Sequence, residues 1–536
     1  MAQKENFKLY RNSLFRHLDG IVTAPSAYEL HRKGVTNYLL EHKEVRLAAL
    51  TQQFKANEGY LNVALHTLCS QGWLEQHIDN VDNTVSYKTN EKSALVFPLF
   101  TAYRDVVELM RLSTDYHYRR IEVPPFLTLE SIVSKYKNNY DFPAPQNDLE
   151  TQLQQQILKH LEGIILGPTL VNLAMNGMFH KYFMQASFKS EEFHEDPINF
   201  ERLLDILVYF KIFEKSKNTY RFTEKGLFFA KRASAYGVTV SYIPTLRKLD
   251  DLIFGNATAA KEAGDGNKEG HVDRAMNVWG SGGAHSSYFK IVDQIIIDLF
   301  NRPIEQQPKG ILDMGCGNGA FLTHLFDVIE HQTLRGKHLD EHPLILVGAD
   351  YNEAALKITK ANLIQADIWA KVVWGDIGDP DRLADDLQEN YGVALGDLLN
   401  VRSFLDHNRI WKQPSMDMSK VSASTGAFAF EGVRLSNNAV EASLAEHFKA
   451  WAPYTAKFGL LLIELHTVPP ATVSKHLGRT AVTAYNATHG YSDQYIIEAP
   501  IYEDILESIG LLKHDTLSRK FPDSELATVT VNLFGA

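Results

Sequence analysis

Cysteine is nearly absent: the 536-residue chain has two, Cys69 and Cys316. That excludes a disulfide framework and a cysteine-rich zinc site, and leaves any metal to His, carboxylate or amide ligands. Long apolar runs are missing as well. None approaches the roughly 20 residues needed to span a bilayer, and the opening MAQKENFKLYRN lacks the apolar centre of a signal peptide. The expected location is the cytoplasm. Positive charge is the third shortage, with 54 Lys and Arg against 65 Asp and Glu and a net charge of -11. A phosphate-binding surface needs the opposite balance, so neither nucleic acid nor membrane is expected as a partner. What is present is ordinary for a globular protein, 45% hydrophobic and 22% charged. The length exceeds what one core organises, and about two to four domains are expected.

The first half contains an internal repeat. IVTAPSAYELHRKGVTNYLLEHKEV from Ile21 and IILGPTLVNLAMNGMFHKYFMQASF from Ile164 align Pro25 with Pro168, Leu30 with Leu173 and Gly34 with Gly177. Each copy continues into a further helical pattern and then a strand pair, VSYKTNEKSALVF at 85–97 echoing NTYRFTEKGLFFA at 218–230. Three helices closed by a hairpin make a winged-helix pattern. The helix comparable to a recognition helix, around ANEGYLNVALHTLCSQG, carries almost no basic residues. The expected role is therefore a lid or a dimerisation element, a homodimer included, rather than a DNA reader. DFPAPQND at 141–148 reads as a linker, and NATAAKEAGDGNKEGHV at 256–272 as a flexible joint. The expected division is a helical, winged-helix-like domain over 1–140, a second such repeat over 141–255, and an α/β domain over 273–536.

In that last part helices alternate with short apolar strands: ILDMG, LILVGAD, KVVWGD, LGDLLNVRSF, LLLIELH and LATVTVNLF. The alternation predicts a doubly wound, mostly parallel sheet, whose ligands sit beyond the carboxyl ends of the strands. The first strand delivers Asp313 and a turn with glycines at 315, 317 and 319; the second ends at Asp350 and the third at Gly375-Asp376. Bare backbone admits a ligand closely, and an acid ending the next strand accepts both ribose hydroxyls. An adenosine cofactor is implied, with Tyr351 and Ile377 expected beside the acids. WGSGGAHSSYF at 279–289 reads as a flap over it or as a simple loop.

GCGNG has the compact GxGxG form, not the GxGxxG of a dinucleotide site, and with its preceding acid it resembles motif one of class I S-adenosylmethionine-dependent methyltransferases. The resemblance implies that the glycine loop meets the methionine part, that Asp350 binds ribose, and that Asp376 lies by the adenine. Three His-bearing stretches, VRSFLDHNRIW, LLLIELHTVPP and YNATHGYSDQYIIE, map to one sheet edge, where an acceptor would meet the methyl group. FRHLDG, TAPSAYELHRKG, LDHNR and HGYSDQY followed by IIEAP resemble the C-methyltransferases of polyketide synthase loading modules that bind one metal ion. That resemblance implies two histidines and a glutamine around a divalent metal such as iron or manganese, here His407, His466 and Gln494, with His489 as a substitute ligand. Such an ion would stabilise the enolate of a 1,3-dicarbonyl or 2-oxo acid so that its α-carbon is alkylated. Asp406 is expected to orient an imidazole or cap a helix, His489 to act as general base if it is not a ligand, and Tyr491 to donate a hydrogen bond or lie in a core.

The chain is expected to stand free of acyltransferase, ketosynthase and carrier segments, so that its substrate is a small molecule or an acyl group on a separate carrier. The competing readings are an O-methyltransferase of small phenolic metabolites, with a His base and no metal, and a non-catalytic sensor of the same cofactor.

Overall fold

The computed structural model describes residues 2–112, 123–181, 186–262, 269–416 and 420–535. They fall into two compact units: Met1–Ala284 with Ala427–Leu435 and Pro469–Ser492, and His285–Gly426 with Ser436–Val468 and Asp493–Ala536. Among the described residues no helix is long and apolar enough to cross a membrane.

The first unit is built on two long helices, α1 (Ala2–Arg32) and α2 (Asp148–Met175). Pro25 and Pro168 lie inside them. Gly34 and Gly177 follow them with φ of 85° and 80°, a backbone state open to glycine at little steric expense. Each repeat then supplies its β-wing. The first is a sheet of β1 (Glu44–Arg46), β2 (Leu74–Asp79) and β3 (Thr84–Thr89); the second is the hairpin β4 (Phe213–Ser216) and β5 (Thr219–Phe222).

The symmetry goes deeper than the aligned motifs. A Cβ on Gly20 would lie 2.2 Å from the Cα of His160, and one on Gly163 would lie 2.5 Å from the Cα of His17. The two helices thus cross with each glycine seated on the other repeat's histidine, as in a two-fold contact. His17 Nδ1 pairs with the Tyr236 hydroxyl at 2.7 Å, and His160 Nδ1 with the Tyr103 hydroxyl at 2.7 Å. Glu162 is buried beside them, bonded by Lys159 at 2.5 Å and by the Tyr136 hydroxyl at 3.1 Å. A buried carboxylate needs such partners to stay charged.

The second unit takes up the chain at His285, within the helix α3 (Arg274–Phe300). The stretch 279–289, expected as a flap or loop, is part of that helix. The sheet strands are β6 (Gly310–Met314), β7 (Ile345–Asp350), β8 (Lys371–Trp374), β9 (Leu398–Ser403), β10 (Leu460–Leu465), β11 (Leu512–Lys513), β12 (Arg519–Phe521) and β13 (Val529–Gly535). Their order is β11-β13-β10-β9-β6-β7-β8, with β12 also on β13. β6 through β10 run parallel, and β13 is antiparallel to its neighbours. The helices α4 (Ala320–Gln332), α5 (Glu353–Gln365) and α6 (Asn437–Thr455) accompany the sheet. The chain proceeds from β6 outward to β8 on one side and then returns to β9 on the other. The direction of winding therefore reverses between β6 and β9, which makes the crevice at their carboxyl ends the expected ligand position.

Candidate active site

The glycine turn closes β6 at that crevice. Gly315, Gly317 and Gly319 all have positive φ, at 79°, 57° and 77°. The three are there for different reasons. A Cβ on Gly315 would press on Leu405 at 2.8 Å and one on Gly319 on Thr359 at 3.0 Å, whereas one on Gly317 would meet nothing closer than 4.0 Å. Gly317 leaves open the space a cofactor needs. Its N–H donates to Asp350 Oδ2 at 3.0 Å, while Oδ1 accepts from the Asn352 N–H at 2.8 Å, so Asp350 braces the turn at the end of β7. Gly319 heads α4 directly, which adds the positive end of a helix dipole.

The other expected cofactor contacts divide. Tyr351 is 58% exposed and its ring lies 5.5 Å from that of Trp374. Asp376 accepts the Gly378 N–H at 2.7 Å just beyond β8. Asp313 is buried, with Oδ2 lacking a protein partner; burial, with the nearby charge of Asp350, pushes its pKa up to about 7. Ile377 corrects the expectation: its side chain is in the apolar core with Leu312, Met314 and Val347, and its carbonyl accepts the Trp451 indole N–H at 2.7 Å. It packs the sheet. The open cradle at Gly317, the orphaned Asp313 oxygen and the acid at each strand end fit an adenosyl cofactor.

Asp350→Ala tests that fit. It removes the acceptor that would hold ribose hydroxyls and frees the Gly317 N–H, and titration calorimetry should show S-adenosylmethionine binding weakened by about 1–3 kcal/mol. Unchanged affinity would move the ribose elsewhere.

On the β9 side of the crevice the chain makes a short turn, Leu405-Asp406-His407, and everything in it is held. His407 Nδ1 donates to Glu464 Oε1 at 2.6 Å. The other Glu464 oxygen accepts the Asp406 N–H at 2.9 Å, and Oε1 also accepts the Leu465 N–H at 2.7 Å. Glu464 lies on β10, the strand that pairs with β9. The Asp406 carboxylate pairs with Arg402 at 2.6 Å and with His447 of α6 at 2.8 Å; Arg402 and Asp406 are buried and His447 is half-buried. Burial alone would raise its pKa, but Arg402 and His447 outweigh that and hold the carboxyl near 2. The imidazole that Asp406 bonds is that of His447, not one of the expected ligands.

The expected metal trio does not form. The backbones of the His407 and Gln494 segments meet, the Tyr495 N–H next to Gln494 donating to the His407 carbonyl at 2.8 Å. His466 turns away. Its Nδ1 lies 3.1 Å from the Ile497 carbonyl and its Nε2 2.8 Å from the Thr530 hydroxyl of β13. A carbonyl only accepts, so Nδ1 carries the proton and Nε2 takes the hydroxyl's, which leaves no lone pair for an ion. Burial lowers the His466 pKa to about 4 and keeps the ring neutral. Among the described residues no group of three His, Cys, Asp or Glu could hold a metal ion.

His489 and Tyr491 belong to the first unit. His489 Nδ1 bonds its own helix at the Tyr485 carbonyl, 2.7 Å away. Of the two expectations for Tyr491 the core position is the one found: the residue is 2% exposed and its hydroxyl is paired with Ser26 of α1 at 2.9 Å.

Arg402 and His447 carry no signal in the sequence, and Glu464 enters only as part of the ELH stretch at the sheet edge, without a role. Glu464 and His466 are two apart in the ELH triplet, and a regular strand would put both on one face; the strand ends at Leu465, and His466 beyond it bonds Ile497 and Thr530 instead.

Residues 269–532 match the AprA MT2-like domain, residues 10–76 the AprA N-terminal domain, and residues 162–256 the AprA winged helix domain. Comparison with curated proteins gives no match. Among solved structures, an O-methyltransferase family protein from Burkholderia thailandensis is similar at 9% identity over 69% of this chain and 94% of its own, with a TM-score of 0.40. The CurJ carbon methyltransferase is similar at 13% identity over 81% of this chain and 100% of its own, TM-score 0.32. The DszA carbon methyltransferase is similar at 13% identity over 78% and 98%, TM-score 0.28.

Proposed function

This chain is an S-adenosylmethionine-dependent methyltransferase with an AprA MT2-like catalytic domain, and on that premise we propose that it methylates the α-carbon of a 1,3-dicarbonyl or 2-oxo acyl group, with His407 as general base. One observation carries the reading: His407 is bonded through Nδ1 to Glu464 at 2.6 Å, on the turn whose Leu405 seats Gly315 of the cofactor loop. The sequence motifs LDHNR, HGYSDQY and IIEAP support carbon as the acceptor atom.

The bonded Nδ1–H fixes the tautomer and leaves Nε2 as the ring's basic nitrogen. Nε2 takes the α-proton, and the charge that develops on the imidazole is stabilised by the Glu464 carboxylate, which is itself oriented by two backbone N–H groups. Bound S-adenosylmethionine supplies an electrophilic methyl carbon. Leu405 and Gly315 in contact keep the base turn beside the cofactor cradle, and such positioning is the main contribution an enzyme makes to an in-line displacement.

The test is to incubate the protein with methyl-labelled cofactor and a set of carrier-bound β-dicarbonyl acyl groups and free 2-oxo acids, and to locate the label by NMR. Label on the α-carbon, with turnover surviving a chelator, is expected. Label on oxygen would sink the carbon assignment, and chelator-sensitive turnover rescued by a divalent ion would sink the metal-independent base.

A further inference from the structure

Phe404 is the residue between β9 and the base turn, and its backbone is in the left-handed region at φ 55°. A bulky side chain occupies that region at the expense of strain, which survives only where the surroundings fix it. Here the Phe404 N–H is bound to the Ile463 carbonyl of β10 at 2.7 Å. The ring is fixed as well. Tyr288 of α3 lies edge-on to it at 6.0 Å, and Tyr288 in turn meets Phe521 of β12 edge-on at 5.2 Å. The three rings come from distant parts of the chain, yet they assemble at the carboxyl end of β9, at the point where the sheet's winding reverses and next to the Leu405 that touches Gly315.

An aromatic cluster at that crevice, held at the expense of backbone strain, has a chemical meaning in this enzyme. The donor it binds is a sulfonium cation, and the product left behind is a neutral thioether. Ring faces attract cations and are indifferent to charge-free groups of the same shape. We propose that Phe404 and Tyr288, backed by Phe521, form an aromatic wall that reads the positive charge of the sulfonium, so that the site prefers the charged donor over its neutral product. The strain at Phe404 is what turns its ring to this position while the next three residues swing back to Glu464. The wall is independent of which acceptor is methylated and of which residue is the base.

The experiment uses the full chain and no acceptor. Affinities for S-adenosylmethionine and for S-adenosylhomocysteine are measured by calorimetry on the wild type, Phe404→Leu, Phe404→Tyr and Tyr288→Leu. Leucine at 404 has the same backbone strain, so the comparison isolates the ring. Phe404→Leu and Tyr288→Leu should each weaken the sulfonium ligand about ten-fold while moving the thioether by less than about two-fold, as expected for a desolvated cation–ring contact. Phe404→Tyr should keep the preference. Parallel losses for both ligands would make the cluster a shape-only wall and overturn the proposal, as would no loss for either. If Phe404→Leu fails to fold, Tyr288→Leu decides by the same ratio.

Discussion

His407→Ala is expected to reduce methyl transfer by about 10²–10⁴-fold while leaving S-adenosylmethionine affinity within about two-fold, the range seen when a positioned general base is removed. The split follows from geometry. His407 sits on the β9 side of the crevice and Asp350, the acid proposed to hold ribose, on the β7 side, with the glycine turn between them. Loss of the imidazole therefore leaves the cradle and its braces untouched. Glu464→Gln is the finer probe. An amide can still accept from His407 Nδ1 but cannot stabilise the imidazolium, so the rate should fall by a smaller factor with the acceptor KM unchanged. Single-turnover rates and calorimetry on the same preparations check both. If His407→Ala lost cofactor and rate together, the two-subsite description would fail. If it retained full rate, another group would be the base.

Asp406→Ala should destabilise the catalytic unit by about 3–5 kcal/mol, because it strands the Arg402 guanidinium as an unpaired buried charge. Arg402 is 1% exposed, its Nε and Nη2 already lack protein partners, and its guanidinium carbon lies over the Trp451 ring at 4.1 Å. It has nowhere to redirect its charge. A fall in Tm of about 6–20 °C by calorimetry is the corresponding signal for a unit of this size. The double variant Arg402→Met with Asp406→Leu should recover most of that loss, since removing both charges leaves neither to desolvate. The pair also predicts an acid limb. With the folded pKa held near 2, below the ordinary aspartate value, the contribution is complete above about pH 4 and disappears as pH falls toward 2. Wild-type stability should drop through that window, and the double variant should lose that component of the drop. A stable Asp406→Ala would mean that the ion pair carries no structural weight.

Local chemistry explains what could be read in advance. Three glycines in five residues after an apolar strand signal positive φ, and the backbone has it at all three. Asp350 follows from the next strand's end, because strand length is set by the apolar run. The pairing of Pro25 with Pro168 and Gly34 with Gly177 located the repeat, but the reciprocal seating of Gly20 and Gly163 needed the crossing helices to be placed. Likewise the position of His407 after a strand makes it a candidate, and only the family resemblance implies a ligand role, while its bond to Glu464 depends on how β9 and β10 are registered.

His466 and Tyr491 mark the limit. Both stand beside chemistry-bearing neighbours in the sequence, and both are absorbed by partners from far along the chain: Thr530 on an antiparallel strand for one, Ser26 on the first helix for the other. Composition and motif spacing by themselves determined the class of fold and the positive-φ glycine turn that closes the first sheet strand, because those depend on backbone conformation and strand order within short stretches. Which partner each imidazole bonds, Glu464 for His407, Asp406 for His447 and Thr530 for His466, was decided only in three dimensions, because hydrogen bonds between buried side chains are set by register and packing among segments that the sequence keeps apart.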